Sequence, residues 1–183
     1  VYKRQAYKWV RNNAASLGGN PNKVAVAGES AGGNMAVTVA FRSRDAGFPM
    51  PLHILSVYPV ANNDLNTPSY TQYQNAKPLD KPLVEWFVDK YFNTPADGDS
   101  PYISLVDVAN QSGLPPTTSI GAQIDPLQTE GKQLADKLQS LGVPVTYTLY
   151  EGVTHEFFGA DALLPKAAEA QDLAAARLRQ AFQ

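Results

Sequence analysis

The 183-residue sequence contains no cysteine, and that absence alone removes disulfides, thiolate nucleophiles and cysteine-ligated zinc or iron–sulfur centres from consideration. Histidine is nearly as scarce: His53 and His155 are the only two, too few for a His-rich metal cage. An excess of either charge is also lacking. Fifteen Lys+Arg against 17 Asp+Glu leave a formal net charge of −2 with no basic tract, so the charge balance does not point to nucleic acid. No apolar run approaches the ~18 residues that a membrane span needs. The chain opens on Val1 and passes straight into a helical pattern, without the charged and apolar regions of a signal peptide. What is present is a 44% hydrophobic fraction with 10% aromatics, which excludes a disordered or collagen-like chain. A chain of this length normally forms one domain and buries about 70% of the surface it exposes when unfolded.

Tyr7, Val10, Ala14 and Leu17 recur at helical spacing, and Gly18-Gly19 with Pro21 ends that pattern. Residues 24–27 predict a first buried strand, interrupted at Gly28, and residues 30–46 a helix with small residues on its first turns. A second strand is expected over 52–60. The next stretch is polar and proline-rich, with an amphipathic helix over 83–92. Third and fourth strands are expected over 117–121 and 145–150, and Leu134, Leu138 and Leu141 mark the helix between them. An Ala-rich helix is expected over 166–182. Each pair of neighbouring strands is separated by a helical stretch, so parallel pairing through crossover helices is expected. Continuous apolar strands fit a sheet covered on both faces. The expected class is α/β: a mostly parallel sheet with helices on both faces, a single domain over 1–183, and an excursion over 62–102 between the second and third strands.

Gly28-Glu29-Ser30-Ala31-Gly32 satisfies G-x-S-x-G between a strand-like run and a helix, the setting of a nucleophile elbow. A sharp turn there exposes Ser30 Oγ, with Gly28 and Gly32 leaving room for strained backbone and close helix packing. The Ala31 N–H then points to where an oxyanion forms, at the positive end of the helix. The plainer alternative makes Ser30 a helix cap in a Gly-rich turn. A serine nucleophile needs a base. His53 begins the second strand whereas Ser30 follows the first, which puts them on opposite edges of a parallel sheet; His53 is expected to be structural. His155 follows the fourth strand on the edge of Ser30 and is the expected base. Asp125, beyond the third strand, is the expected orienting acid, although Asp125-Pro126 taken singly reads as a helix N-cap. The order Ser30, Asp125, His155 is that of the α/β-hydrolases.

Gly28-Glu29-Ser30-Ala31-Gly32-Gly33 resembles, at every position, the G-[DE]-S-A-G-G elbow of the bacterial hormone-sensitive-lipase-like esterases. Gly121-Ala122-Gln123-Ile124-Asp125-Pro126-Leu127 is similar to their acid segment. Gly152-Val153-Thr154-His155-Glu156-Phe157 is similar to their base segment, where many members carry Gly in place of Glu156. The resemblance implies an α/β-hydrolase fold and hydrolysis of small, fairly apolar carboxylic esters through an acyl-enzyme, with no metal or organic cofactor. It also implies that residues 62–102 form a cap segment, in which Trp86, Phe87 and Tyr91 either line the substrate pocket or anchor the cap to the body. One family element is missing: the chain contains no H-G-G-G string, the oxyanion segment that precedes the elbow. The sequence therefore resembles the C-terminal portion of such an enzyme, without its N-terminal strands, and the isolated chain is expected to be inactive. A serine peptidase on the same fold and a catalytically inert binding protein remain the alternatives.

Overall fold

Apolar strands separated by helical stretches leave no room for hairpins, and the four strands pair in parallel throughout. The computed structural model describes residues 2–183, Val1 lying outside them. The strands are β1 (Val26–Glu29), β2 (Ile54–Val57), β3 (Thr117–Ile124) and β4 (Val145–Thr154), in the spatial order β1-β2-β3-β4. Helix α1 (Tyr2–Asn13) precedes β1, and α2 (Ala31–Asp45) crosses from β1 to β2. Helices α3 (Pro68–Gln72) and α4 (Lys81–Tyr91) occupy the stretch between β2 and β3. Helix α5 (Gln128–Ser140) joins β3 to β4, and α6 (Pro165–Ala181) lies beyond β4.

Successive strand residues face opposite sides of a sheet, and β2 shows both sides covered. Ile54 packs with Val37, Ala40 and Phe41 of α2 and with Leu134 and Leu138 of α5. Its neighbour Leu55 packs with Ile120, Ala122 and, on α6, Ala167, Ala170 and Ala174. Small α6 residues let that helix lie close to the sheet. A third cluster of Tyr70, Leu79, Val84 and Leu127 ties α3 and α4 to the approach of α5.

The strand boundaries depart from the sequence pattern for identifiable reasons. The β1 ladder runs from Val26↔Ile54 to Glu29↔Val57, so Gly28 lies within the strand instead of ending it. The β2 ladder stops at Val57, because Tyr58 turns out of the strand at a φ of 31°. Strand β3 continues through Ile124, and β4 through Thr154 by way of an irregularity. There Ala122 pairs with Tyr150 but Ile124 pairs with Thr154, leaving three β4 residues opposite Gln123 alone. Gly152 takes a φ of 72° in this bulge, and its N–H donates to Gln123 Oε1 at 2.7 Å. A bulge interrupts the side-chain pattern without ending the pairing, and it re-aims the residues beyond it. Here the residue just past the re-aimed strand end is His155.

Candidate active site

In a parallel sheet every strand delivers its next residue to the same edge, and here that edge receives Ser30, Tyr58, Asp125 and His155. Ser30 sits at φ 56° and ψ −123°, a backbone region that side chains rarely adopt and that marks stored strain. Its N–H donates to Val57 O at 2.9 Å, fastening the turn to the end of β2. A Cβ on Gly28 would stand 2.2 Å from Gly32 O, and one on Gly33 would stand 3.0 Å from both Val57 O and Pro59 Cβ. These two glycines let α2 begin directly over the strand. An added Cβ on Gly32 meets nothing within 4 Å, so the close packing expected of Gly32 belongs to Gly33. The cap alternative for Ser30 fails, since its side chain makes no helix-cap hydrogen bond. Ser30 Oγ lies instead 3.0 Å from His155 Nε2.

On its other side, His155 Nδ1 lies 2.7 Å from Asp125 Oδ2, with both side chains almost wholly buried. In the tautomer that carries its proton on Nδ1, His155 donates to Asp125 Oδ2 and Nε2 can accept from the Ser30 hydroxyl. Asp125 Oδ1 accepts from Leu127 N–H at 2.9 Å. Helix α5 begins only at Gln128, with Leu127 in the N-cap position, so Asp125 is not the N-cap that its sequence context suggests. Its second oxygen closes a local turn that fixes the carboxylate. Tyr58 packs its ring against His155 at a centroid distance of 4.4 Å and donates its hydroxyl to Glu29 Oε2. Burial above all, then the hydrogen bond to Glu29 and the charges of Glu29 and Glu156, push that hydroxyl far above its ordinary range, so it stays a donor. Ala31 opens α2, and among the described residues nothing accepts from its N–H. That donor is available at the positive end of the helix.

Glu130 escaped the sequence reasoning. It is fully buried in the first turn of α5, where Oε1 accepts from Ala61 N–H at 2.7 Å and Asn62 N–H at 3.3 Å. Among the described residues Oε2 has no hydrogen-bond partner. Burial pushes the carboxyl up to about 8; the two backbone donors pull against this and the Asp125 charge adds to it. The hydroxyl of Tyr70 is raised as well, by burial first and then by Glu130 and Asp125. Glu130 thus keeps a proton near neutral pH, beside the carboxyl that touches His155. A signal did exist in the sequence. Glu130, Leu134 and Leu138 lie at i, i+4 and i+8 on one buried stripe of α5, where a carboxyl is out of place.

His53 is buried at the opposite end of β2, with Nε2 2.9 Å from Thr118 Oγ1. Burial, with a smaller contribution from Arg177, lowers its proton affinity. It takes no part in the cluster around Ser30. Trp86, Phe87 and Tyr91 are 53%, 51% and 71% exposed, so none of them anchors α4. That task falls to Val84 with Leu83 and Val88. The aromatic ring contacts of the trio are Trp86 with Phe87 and Tyr91 with Phe92, not with the Ser30 cluster. Among the described residues no group of three His, Asp or Glu is placed to hold a metal ion, and no helix is long and apolar enough to cross a membrane.

Comparison with known proteins gives consistent matches. A family model described as alpha/beta hydrolase fold matches residues 3–159. The carboxylesterase NlhH of Mycobacterium tuberculosis is 36% identical over 182 residues, which span 97% of this chain and 56% of that protein. The ethyl acetate hydrolase of Pseudomonas putida is 29% identical over 176 residues, 96% of this chain and 55% of its own. Among solved structures, the hyperthermophilic esterase of Pyrobaculum calidifontis superposes with a TM-score of 0.93 at 36% identity, over 99% of this chain and 60% of that one. A thermophilic carboxylesterase cloned from a metagenomic library gives 0.94 at 33% identity, over 99% and 62%. The chain spans little more than half the length of these curated relatives.

Proposed function

The chain belongs to the alpha/beta-hydrolase family, among the hormone-sensitive-lipase-like esterases, and from that membership we propose that it carries the catalytic triad of a serine carboxylesterase acting on small, fairly apolar esters. The observation that carries the reading is the pair of contacts leading from Ser30 Oγ to His155 Nε2 at 3.0 Å and from His155 Nδ1 to Asp125 Oδ2 at 2.7 Å. Ser30 Oγ attacks the ester carbonyl carbon while Nε2 takes the hydroxyl proton. The carbonyl oxygen becomes an oxyanion and accepts from Ala31 N–H. Asp125 stabilises the imidazolium through Nδ1–H. Collapse of the tetrahedral intermediate breaks the bond to the alcohol oxygen, which leaves with the proton from Nε2, and Ser30 is acylated. Water then attacks the acyl-enzyme as Nε2 takes its proton, and return of that proton to Oγ releases the acid.

No redox or metal-dependent step enters this sequence. The preference for small esters draws on the relative named for ethyl acetate hydrolysis. Residues 62–102, with α3 and α4, serve in this reading as a cap over the site, and the exposed Trp86, Phe87 and Tyr91 as apolar contacts for substrate. Removing one oxyanion donor typically slows kcat by about 10² to 10³. With Ala31 as its one identified donor, the 183-residue chain by itself is expected to be slow by at least that factor. The test is labelling by a fluorophosphonate together with hydrolysis of p-nitrophenyl esters, on the whole protein. Labelling and turnover that vanish in Ser30→Ala and His155→Ala and persist in His53→Ala are expected. Turnover that survives Ser30→Ala in a folded protein refutes the assignment.

A further inference from the structure

His155 Nε2, the atom that receives the Ser30 proton, has a second neighbour. Glu156 Oε1 lies 3.7 Å away. The backbone brings it there: Glu156 sits at φ 69° and ψ 1°, in the left-handed region where glycine is at ease and a side chain is not. This bend, between the end of β4 and the 3₁₀ turn Phe157–Gly159, leaves the carboxylate beside the imidazole face that meets Ser30. The two side chains differ in access to water. Glu156 is 60% exposed, whereas His155 is sealed at 3%. Across the imidazole, Tyr58 offers a phenol already committed to Glu29. Among the described residues no lysine or arginine pairs with Glu156 or Glu29. Among the described residues the rim of the site beside Ser30 therefore carries a Glu156 carboxylate that no lysine or arginine pairs.

An ester poised for attack places its carbonyl carbon at Ser30 Oγ, which is itself 3.0 Å from Nε2. Glu156 Oε1 stands beside the same nitrogen, so a charged group that extends a few bonds from that carbonyl toward β4 comes within several ångströms of the carboxylate. At that range, in a half-exposed setting, a unit charge still changes a rate constant by about tenfold. We propose that Glu156 is a specificity-determining residue that sorts esters by charge, favouring those that carry an ammonium group near the scissile carbonyl over those that carry a carboxylate. This rests on the esterase reading above.

The experiment compares kcat/KM for three p-nitrophenyl esters of matched acyl length ending in a methyl, a trimethylammonium and a carboxylate group, each corrected for its spontaneous hydrolysis. It uses the whole protein and its Glu156→Gln and Glu156→Gly variants, at low and high salt. The trimethylammonium ester should exceed the carboxylate ester by about tenfold or more, and both variants should bring that ratio close to one. High salt should shrink the ratio in the unsubstituted protein and leave it alone in the variants. Because the readout is a ratio, a loss of rate common to all three esters does not move it. The same ratio in the variants as in the unsubstituted protein, or a preference for the carboxylate ester, overturns the charge sorting while the methyl ester still reports an active esterase. Absence of turnover on all three esters together with a Ser30 inert to fluorophosphonate removes the esterase reading and this proposal with it.

Discussion

Replacing Glu130 by Gln isolates the consequence of burying a carboxyl beside Asp125. In the folded protein this group keeps its proton up to about pH 8, against an ordinary value of 4.5. Below the lower value it is protonated whether the chain is folded or not, and its ionisation has no effect on stability. Above that value the unfolded chain releases a proton that the folded chain retains, so stability falls as pH rises, by about 1.4 kcal/mol per unit, until the folded group also ionises. The loss approaches roughly 5 kcal/mol by the upper end of the window. Gln has the same shape and its carbonyl oxygen keeps the hydrogen bonds from Ala61 and Asn62, while the amide occupies the place of the unpartnered Oε2. Any offset from that amide does not vary with pH. Melting temperatures measured in steps from about pH 5 to about pH 8 should therefore show Glu130→Gln gaining on the unsubstituted protein as pH rises. Two pH units correspond to about 2.7 kcal/mol, or roughly 5–11 °C in a protein of this size. Parallel pH profiles for the two proteins would mean that Glu130 is ionised in the fold, and the reasoning would be wrong.

Asp125→Asn should lower kcat by about 10⁴ with the fold intact by circular dichroism, because an amide donor facing Nδ1 pushes the proton onto the nitrogen that must accept from Ser30. Gly28→Ala should destabilise by about 3 kcal/mol in urea unfolding, since its Cβ would stand 2.2 Å from the backbone oxygen of Gly32. Gly32→Ala, whose Cβ meets nothing within 4 Å, should match or exceed the original stability; equal losses from both would contradict the packing described for the elbow. His53→Ala should lower the melting temperature through its cavity and the lost contact with Thr118, while the proposed esterase turnover of the folded whole protein stays within a few-fold.

The elements of this protein that depend on near neighbours in the chain were legible without coordinates. Alternating apolar runs and helical stretches dictated parallel pairing, and parallel pairing put the residues after each strand on one edge. That reasoning, with the G-x-S-x-G turn, was enough to expect Ser30, Asp125 and His155 on one edge and His53 at the other, which is where they lie. It also left Asp125 between cap and orienter, since a local pattern cannot report what a carboxylate reaches across the sheet. The aromatics of α4 illustrate the same limit: helical spacing located them, but only packing showed that Val84 turns inward and Trp86, Phe87 and Tyr91 outward.

Other features exist only through contacts distant in sequence. The β4 bulge is defined by its register against β3, and Gly152 reads as a strand end until Gln123 is seen to hold its N–H. Glu130 is an ordinary helix-forming residue until the backbone of Ala61 and Asn62 closes over it and burial takes its charge. Glu156 comes after His155 in any reading of the chain, yet adjacency does not say where its side chain goes. The left-handed turn decides that, by setting the carboxylate beside Nε2, because the direction of a side chain depends on backbone torsions that the surrounding fold, and not the local residue, imposes.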